Sequence, residues 1–259
     1  MMGSEIFYTT AGSGLPVGLI HGYCETHHVW DDFTRKLTKT NRVIAIDLPG
    51  FGRSVPAQYP FSLTDIAEKI HELIVSLDAI QHVMIGHSLG GHITLAYTRK
   101  YMNEVRGFGL FHSTALTDTP EKKQNRTKLI DFIDKKGVPP FIHNFIPSLF
   151  YENRRQELEP VIRRLVEEAY EIDPESIREY ARAMRDREDN LALLQKFPRP
   201  VMMIIGENDG SVPFNLSLEQ SRTLQRPYIL TLKETGHMGM YERPAETLHF
   251  VQNFLNVCQ

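Results

Sequence analysis

The chain has 259 residues, 41% hydrophobic and 24% charged, the balance of an ordinary globular protein able to bury a sizeable core. That excludes disorder as its main state. Lys and Arg total 29 against 32 Asp and Glu, a net charge of −3, so nothing in the charge balance points to nucleic acid. The N-terminus has no basic start and no apolar stretch of signal-peptide length, and aliphatic runs such as 201–205 are too short to cross a bilayer. Two cysteines, Cys24 and Cys258, offer no disulfide framework. The expectation is a cytoplasmic protein with free thiols and neither membrane nor nucleic acid as partner.

In chain order, the first half alternates strands and helices. Apolar runs at 15–20, 42–47, 82–86 and 105–111 lack polar alternation, as expected of parallel strands covered on both faces. Between them, Ile66, Ile70, Leu73, Ile74 and Leu77 recur at helical spacing, with Ser62 and Asp65 placed to cap the helix. Leu89, Ile93, Ala96 and Tyr97 form a second stripe. From about 117 to 194 no strand is predicted. That stretch shows four helical stripes: Leu129, Phe132 and Ile133, ended by Gly137; a broad face from Phe141 to Phe150, interrupted by Pro147; Val161 to Ala169; and Ile177 to Met184, with Asp173 and Pro174 as cap and first residue. Strands return at 200–206 and 228–232, around a helix near 215–226, before a final helix carrying Leu248, Val251, Phe254 and Leu255. The pattern predicts an α/β fold with a mostly parallel sheet, helices on both faces and a helical insertion.

The sharpest local signal is Gly86-His87-Ser88-Leu89-Gly90, after an apolar strand and at the start of an apolar helix. A tight strand-to-helix turn lifts the serine hydroxyl above the sheet, and small neighbours let the chains pass closely. Serine needs a base, and the base needs an orienting acid. His237 follows the last predicted strand, and Asp209 follows the strand at 201–205, both at strand C-terminal ends, where open α/β sheets place their sites. The backbone N–H groups of Tyr23, in the loop after the first long strand, and of Leu89, after the serine, are candidate donors to an oxyanion. His21 reads as a structural support of that loop.

These pieces resemble the α/β-hydrolase fold superfamily. The matching segments are His21-Gly22, Asp47-Leu-Pro-Gly-Phe-Gly-Arg-Ser54, Gly86-His-Ser-Leu-Gly-Gly91, Gly206-Glu-Asn-Asp209 with Val212-Pro213, and Gly236-His237. The resemblance implies a hydrolase core at 1–116 and 195–259, a helical cap at 117–194 over the active site, and a structural role for Asp47. Serine at 88 argues against the dehalogenases and epoxide hydrolases of this fold, which use aspartate. What remains is an esterase acting on a small to medium apolar substrate through an acyl-enzyme. The alternatives are a C–C bond hydrolase of a vinylogous diketone, a cofactor-free perhydrolase or haloperoxidase, and a small-molecule receptor that keeps the triad. No cofactor or metal is called for.

Phe145, Phe150, Met184 and Met238, with Met240, are candidates for the substrate pocket. Cys24 reads as inert. His27 and His28 are rejected as a metal pair, since adjacent helical residues face apart. Arg185 and Arg187 are of a type that binds carboxylates, and Arg187 is the one hint of a group for the acidic dienol of a C–C hydrolase, but the run Arg-Asp-Arg-Glu-Asp reads as a solvated, salt-bridged face.

Overall fold

The computed structural model describes residues 6–259. Seven strands form one sheet: β1 (Tyr8–Ala11), β2 (Leu15–Ile20), β3 (Asn41–Ile46), β4 (His82–His87), β5 (Val105–Phe111), β6 (Val201–Gly206) and β7 (Pro227–Leu232). Their spatial order is β1-β3-β2-β4-β5-β6-β7. β1 runs antiparallel to β3, and every other pairing is parallel. β4 and β6 are buried at every residue, which is why their sequences read as unbroken apolar runs. β1 escapes the sequence reading. It is four residues of Tyr-Thr-Thr-Ala on a half-exposed edge, too short and too polar to stand out.

The helices are α1 (Asp31–Leu37), α2 (Leu63–Ser76), α3 (Leu89–Tyr101), α4 (Pro120–Lys136), α5 (Val138–Ser148), α6 (Glu159–Tyr170), α7 (Pro174–Arg185), α8 (Leu191–Lys196), α9 (Phe214–Ser221), α10 (Gly239–Glu242) and α11 (Pro244–Val257). Ser62 and Asp65 make a reciprocal capping box at the start of α2. Asp173 caps α7 by accepting from the Ser176 N–H, with Pro174 in its first turn. No described helix is long and apolar enough to cross a membrane.

Helices α4 to α7 lie between β5 and β6. The expected α4 stripe is partly wrong. Ile130 and Ile133 are its buried residues, while Phe132 is 40% exposed, because α4 turns a narrow face toward α5 and α7 and leaves the rest to solvent. Pro147 falls in the last turn of α5 rather than breaking it, where few hydrogen bonds are lost. This helical segment touches the sheet domain at defined points. The Tyr23 hydroxyl donates to the Ile177 carbonyl at 2.7 Å, the Tyr59 hydroxyl lies 2.9 Å from the Asp173 carboxylate, and Phe51 stacks on Tyr180 with centroids 4.8 Å apart.

Candidate active site

Ser88 joins β4 to α3 with φ 50° and ψ −113°, a conformation an L-residue adopts only at a cost of about 1–3 kcal/mol. The strain is held from both sides. The Ser88 N–H donates to the Phe111 carbonyl at 3.0 Å, and its carbonyl accepts from the Gly91 N–H at 2.9 Å and the Ser113 hydroxyl at 2.8 Å. The flanking glycines are steric necessities. A Cβ on Gly86 would lie 2.1 Å from the Gly90 backbone, and one on Gly90 would lie 2.4 Å from the Ile20 carbonyl oxygen. Leu89 is the first residue of α3, so its N–H has no acceptor within the helix.

Asp209 lies in the turn after β6, its side chain 1% exposed. One carboxylate oxygen accepts from the backbone N–H groups of Ser211 (2.8 Å) and Val212 (2.9 Å), and the other meets Nδ1 of His237 at 2.8 Å and Nδ1 of His112 at 3.2 Å. Burial works to raise the pKa of Asp209, but His237 and the hydrogen bonds from both histidines hold it well below the usual carboxylate range. Asp209 is therefore an acceptor only. That puts the proton of His237 on Nδ1 and leaves Nε2 as the basic nitrogen. No pattern in the sequence marks His112. Its Nε2 accepts from the Gly239 N–H at 3.2 Å, and burial lowers its pKa to about 4 against the pull of Asp209, so it is a neutral donor to the acid.

The His237 loop is gripped by groups far away in sequence. Its N–H donates to the Leu149 carbonyl at 2.7 Å and its carbonyl accepts from Nε2 of His87 at 2.9 Å. The buried Glu242 carboxylate accepts from the N–H groups of Gly236 (3.0 Å), Met238 (3.2 Å) and Tyr151 (3.0 Å). Gly236 permits this approach, since a Cβ there would lie 2.6 Å from the Tyr151 nitrogen.

His87 fills the variable position of the serine motif, and its Nδ1 lies 2.9 Å from Oε2 of Glu25. Both ring nitrogens thus face atoms that only accept, so the ring carries both protons and pairs as a cation with Glu25. Burial pulls the His87 pKa down, but Glu25 outweighs it and the net shift is upward. Burial pushes Glu25 up, and His87 more than reverses that. Glu25 Oε2 also accepts from the Gly22 N–H at 2.6 Å, so this one pair braces the β2 loop, the serine turn and the His237 loop. His21 meets its expected role: Nε2 accepts from the Leu48 N–H at 2.9 Å and Nδ1 donates to the Gly22 carbonyl at 2.8 Å. Asp47 is a turn residue, accepting from the N–H groups of His27 (2.7 Å) and Arg53 (2.9 Å).

A cavity of about 130 Å³ opens over Ser88 and His237. Its apolar wall includes Tyr23, Leu129, Phe141, Phe145, Leu149 and Met184. Of the residues expected in a pocket, Phe145 and Met184 are here. Phe150 is not; it is buried against Tyr241, with ring centroids 6.4 Å apart. Met238 and Met240 are not in the wall either; both are buried in the hydrophobic core. Arg187 corrects the sequence reading most. Its side chain is only 6% exposed, paired with Asp118 at 2.9 Å, and it lines the cavity, whereas its near neighbour Arg185 pairs with Asp186 at the surface.

The histidine pair at 27–28 behaves differently from expectation. In a 3₁₀ turn (His27–Trp30) the two rings nevertheless pack with centroids 4.1 Å apart. With Asp31 they bring ligand-type atoms within 4.8 Å of one another, as do His112, Asp209 and His237. Nδ1 of His27 is engaged by Asp47 at 2.9 Å and Nδ1 of His28 by Asp31 at 3.1 Å. Both cysteines are free and buried. Burial raises the Cys24 pKa well above the thiol norm, helped by Glu25, and pushes Cys258 up to about 12, so neither is a thiolate near neutral pH.

The sequence profile of the Alpha/beta hydrolase family matches residues 19–250. A structure of a thermophilic esterase from Thermogutta terrifontis, with malate bound, superposes with a TM-score of 0.92 at 26% identity, covering 98% of this chain and 93% of that one. A pimeloyl-[acyl-carrier protein] methyl ester esterase of Neisseria meningitidis is 25% identical over 85% of this chain and 86% of its own length. The 2-hydroxy-6-oxo-6-(2'-aminophenyl)hexa-2,4-dienoic acid hydrolase of Metapseudomonas resinovorans is 23% identical over 98% of this chain and 88% of its own. With a mostly parallel seven-stranded sheet, a strained serine turn and a profile match across most of its length, the chain belongs to the alpha/beta hydrolase family of enzymes.

Proposed function

We propose that the protein is a serine esterase that cleaves small carboxylic esters through an acyl-enzyme, with Ser88 as nucleophile, His237 as general base and acid, and Asp209 as its orienting partner. The observation that carries this reading is the hydrogen bond from His237 Nδ1 to an ionised, four-donor Asp209 at 2.8 Å, in a loop that shares its cavity with Ser88. Nε2 then accepts the Ser88 proton as the hydroxyl oxygen attacks the ester carbonyl. The N–H groups of Tyr23 and Leu89 receive the oxyanion. The protonated His237 gives its proton to the leaving alcohol, and the same nitrogen then activates water to release the acid. Residues 117–194 act as the cap that roofs this chemistry.

The cavity is comparable with an engineered one of about 150 Å³ that binds benzene, so short acyl groups fit best. The test is initial rates on p-nitrophenyl esters from acetate to decanoate, with Ser88→Ala as control. The expected result is an optimum at two to four acyl carbons and a loss of about 10⁴-fold or more in Ser88→Ala. Wild-type rates in purified Ser88→Ala overturn the assignment. Labelling of Ser88 by a fluorophosphonate without turnover of any ester transfers the same residues to C–C cleavage, the reaction class of the Metapseudomonas relative.

A further inference from the structure

The wall of the Ser88 cavity has a second chemical character that hydrolysis of a neutral ester does not use. Lys122 and Arg126 of α4 and Arg187, just beyond α7, all line it. Lys122 and Arg126 are four residues apart and so share a helix face. One carboxylate, Asp118, serves both guanidiniums: one oxygen takes Nη1 of Arg187 at 2.9 Å and the other takes Nε of Arg126. The only other carboxylate among the described wall residues, Glu25, is committed to His87. Three cations thus face one available anion.

The remaining donors are incompletely used. Arg187 gives its Nη groups to the carbonyls of Met184 and Leu116, both at 2.7 Å, while its buried Nε–H meets no acceptor among the described residues. Arg126 makes no hydrogen bond through Nη1 or Nη2 to any described residue. Lys122 spends one of its three N–H groups on the Ser211 carbonyl, at 2.6 Å. Burial lowers the Lys122 pKa, Asp118 and Asp209 oppose this, and Arg126 and Arg187 add to it. His92 completes the wall. Its Nδ1 lies 3.1 Å from the Thr114 carbonyl, an acceptor, so its Nε2 is left as an acceptor, and burial with the nearby Arg187 and Arg126 keeps it neutral.

We propose that Lys122, Arg126 and Arg187 form a carboxylate subsite, and that the substrate is a short ester carrying a free carboxylate in addition to the bond cleaved by Ser88. This rests on the esterase reading above. Asp118 holds the two guanidiniums in place, and the carboxylate of the substrate supplies the missing charge. Bidentate and charge-assisted pairs of this kind strengthen where water is excluded.

The experiment compares esters of equal length on one enzyme preparation, so the ratio does not depend on how much of a variant is folded. Monomethyl succinate, glutarate and adipate are set against methyl butanoate, pentanoate and hexanoate, placing the carboxylate on the acyl side. O-Acetylglycolate against ethyl acetate places it on the alcohol side. At least a tenfold advantage in kcat/KM for the anionic member of either set, lying mainly in KM, is expected, and Arg126→Gln should reduce that ratio about tenfold, with Arg126→Lys restoring part of it. A ratio near one in both sets, or equal losses on both members in Arg126→Gln, overturns the subsite while leaving the esterase reading in place. Calorimetry of glutarate with Ser88→Ala separates the converse case. Binding that weakens tenfold in Ser88→Ala with Arg126→Gln supports the subsite even if no ester is cleaved, and no glutarate binding together with ratios near one removes it.

Discussion

The strand-end loops and the inner face of the α4–α7 segment meet at one cavity but are built by different means. Each chemical group in the loops is fixed several times over. Asp209 takes four donors, the His237 backbone is held at both its N–H and its carbonyl, and Glu25–His87 ties three loops together. The helical segment contributes its cavity-facing charges on long side chains: Arg126 and Arg187 share Asp118, Arg187 also donates to the carbonyls of Met184 and Leu116, and Lys122 donates to the Ser211 carbonyl. The loops tolerate almost no displacement, as catalysis by positioned groups requires. The helical wall instead keeps a donor in reserve, the buried Nε–H of Arg187 meeting no acceptor among the described residues.

Mutations can break this contrast, beginning in the loops. Asp209→Asn leaves the shape intact but removes the acceptor that sets the His237 tautomer, and kcat should fall about 10⁴-fold, measured on a short p-nitrophenyl ester. A loss of tenfold or less would mean that His237 is oriented by other contacts.

Next is the buried pair, read through stability. The folded pKa of His87 is raised above 6.5, so its contribution is complete below that value and is lost as pH rises through the raised one. Glu25 is lowered from 4.5, so its contribution is present above 4.5 and is lost as pH falls through the lowered value. The pair therefore stabilises the fold between those limits, and Tm should drop on the alkaline side. Glu25→Gln should cost about 3–5 kcal/mol near neutral pH and abolish the alkaline step, as followed by thermal denaturation from pH 5 to 10. An unchanged alkaline step in the variant would contradict the ion pair.

Smaller effects follow. His112→Phe removes one of four donors to Asp209 and should lower kcat by less than tenfold. Because His112 is already neutral, with a pKa of about 4, the variant should leave the pH–rate profile above pH 5 unchanged in shape. Tyr23→Phe removes the bond to the Ile177 carbonyl and should cost about 1 kcal/mol, measured by denaturant titration. Since that bond joins α7 to the loop after β2, KM should rise more than kcat falls. Equal effects on both would place the bond in the catalytic loops rather than at the boundary with α7.

The same contrast explains what could be read from the sequence. Ser88 and His237 are legible because steric demands put them among glycines at strand ends, and Asp209 because it follows the crowded Gly206 at the end of the apolar β6. Gly86 and Gly90 have no room for a Cβ, and such constraints leave local marks. His112 leaves none, since its partner Asp209 lies 97 residues away, and the pairing of Glu25 with His87, 62 residues away, and of Glu242 with Tyr151, 91 residues away, is equally without a local pattern, although both carboxylates also accept from backbone N–H groups nearby. Arg187 misleads because a charged run looks solvated on a helix wheel. Asp118, 69 residues upstream, makes burial of that one arginine tolerable, while Arg185, two positions earlier, stays at the surface. Phe150 and Met238 show the reverse error, since apolar side chains near a site more often fill the core beneath it.

The central claim is that Ser88 is made nucleophilic by His237 and Asp209. The most direct measurement is stoichiometric labelling with a fluorophosphonate, followed by peptide mass spectrometry and by the labelling rates of His237→Ala and Asp209→Asn. The account predicts one adduct per chain, on Ser88, formed at least 10³-fold more slowly in His237→Ala, on the scale of triad losses. An adduct on another residue, or unchanged labelling of Ser88 without His237, would contradict it.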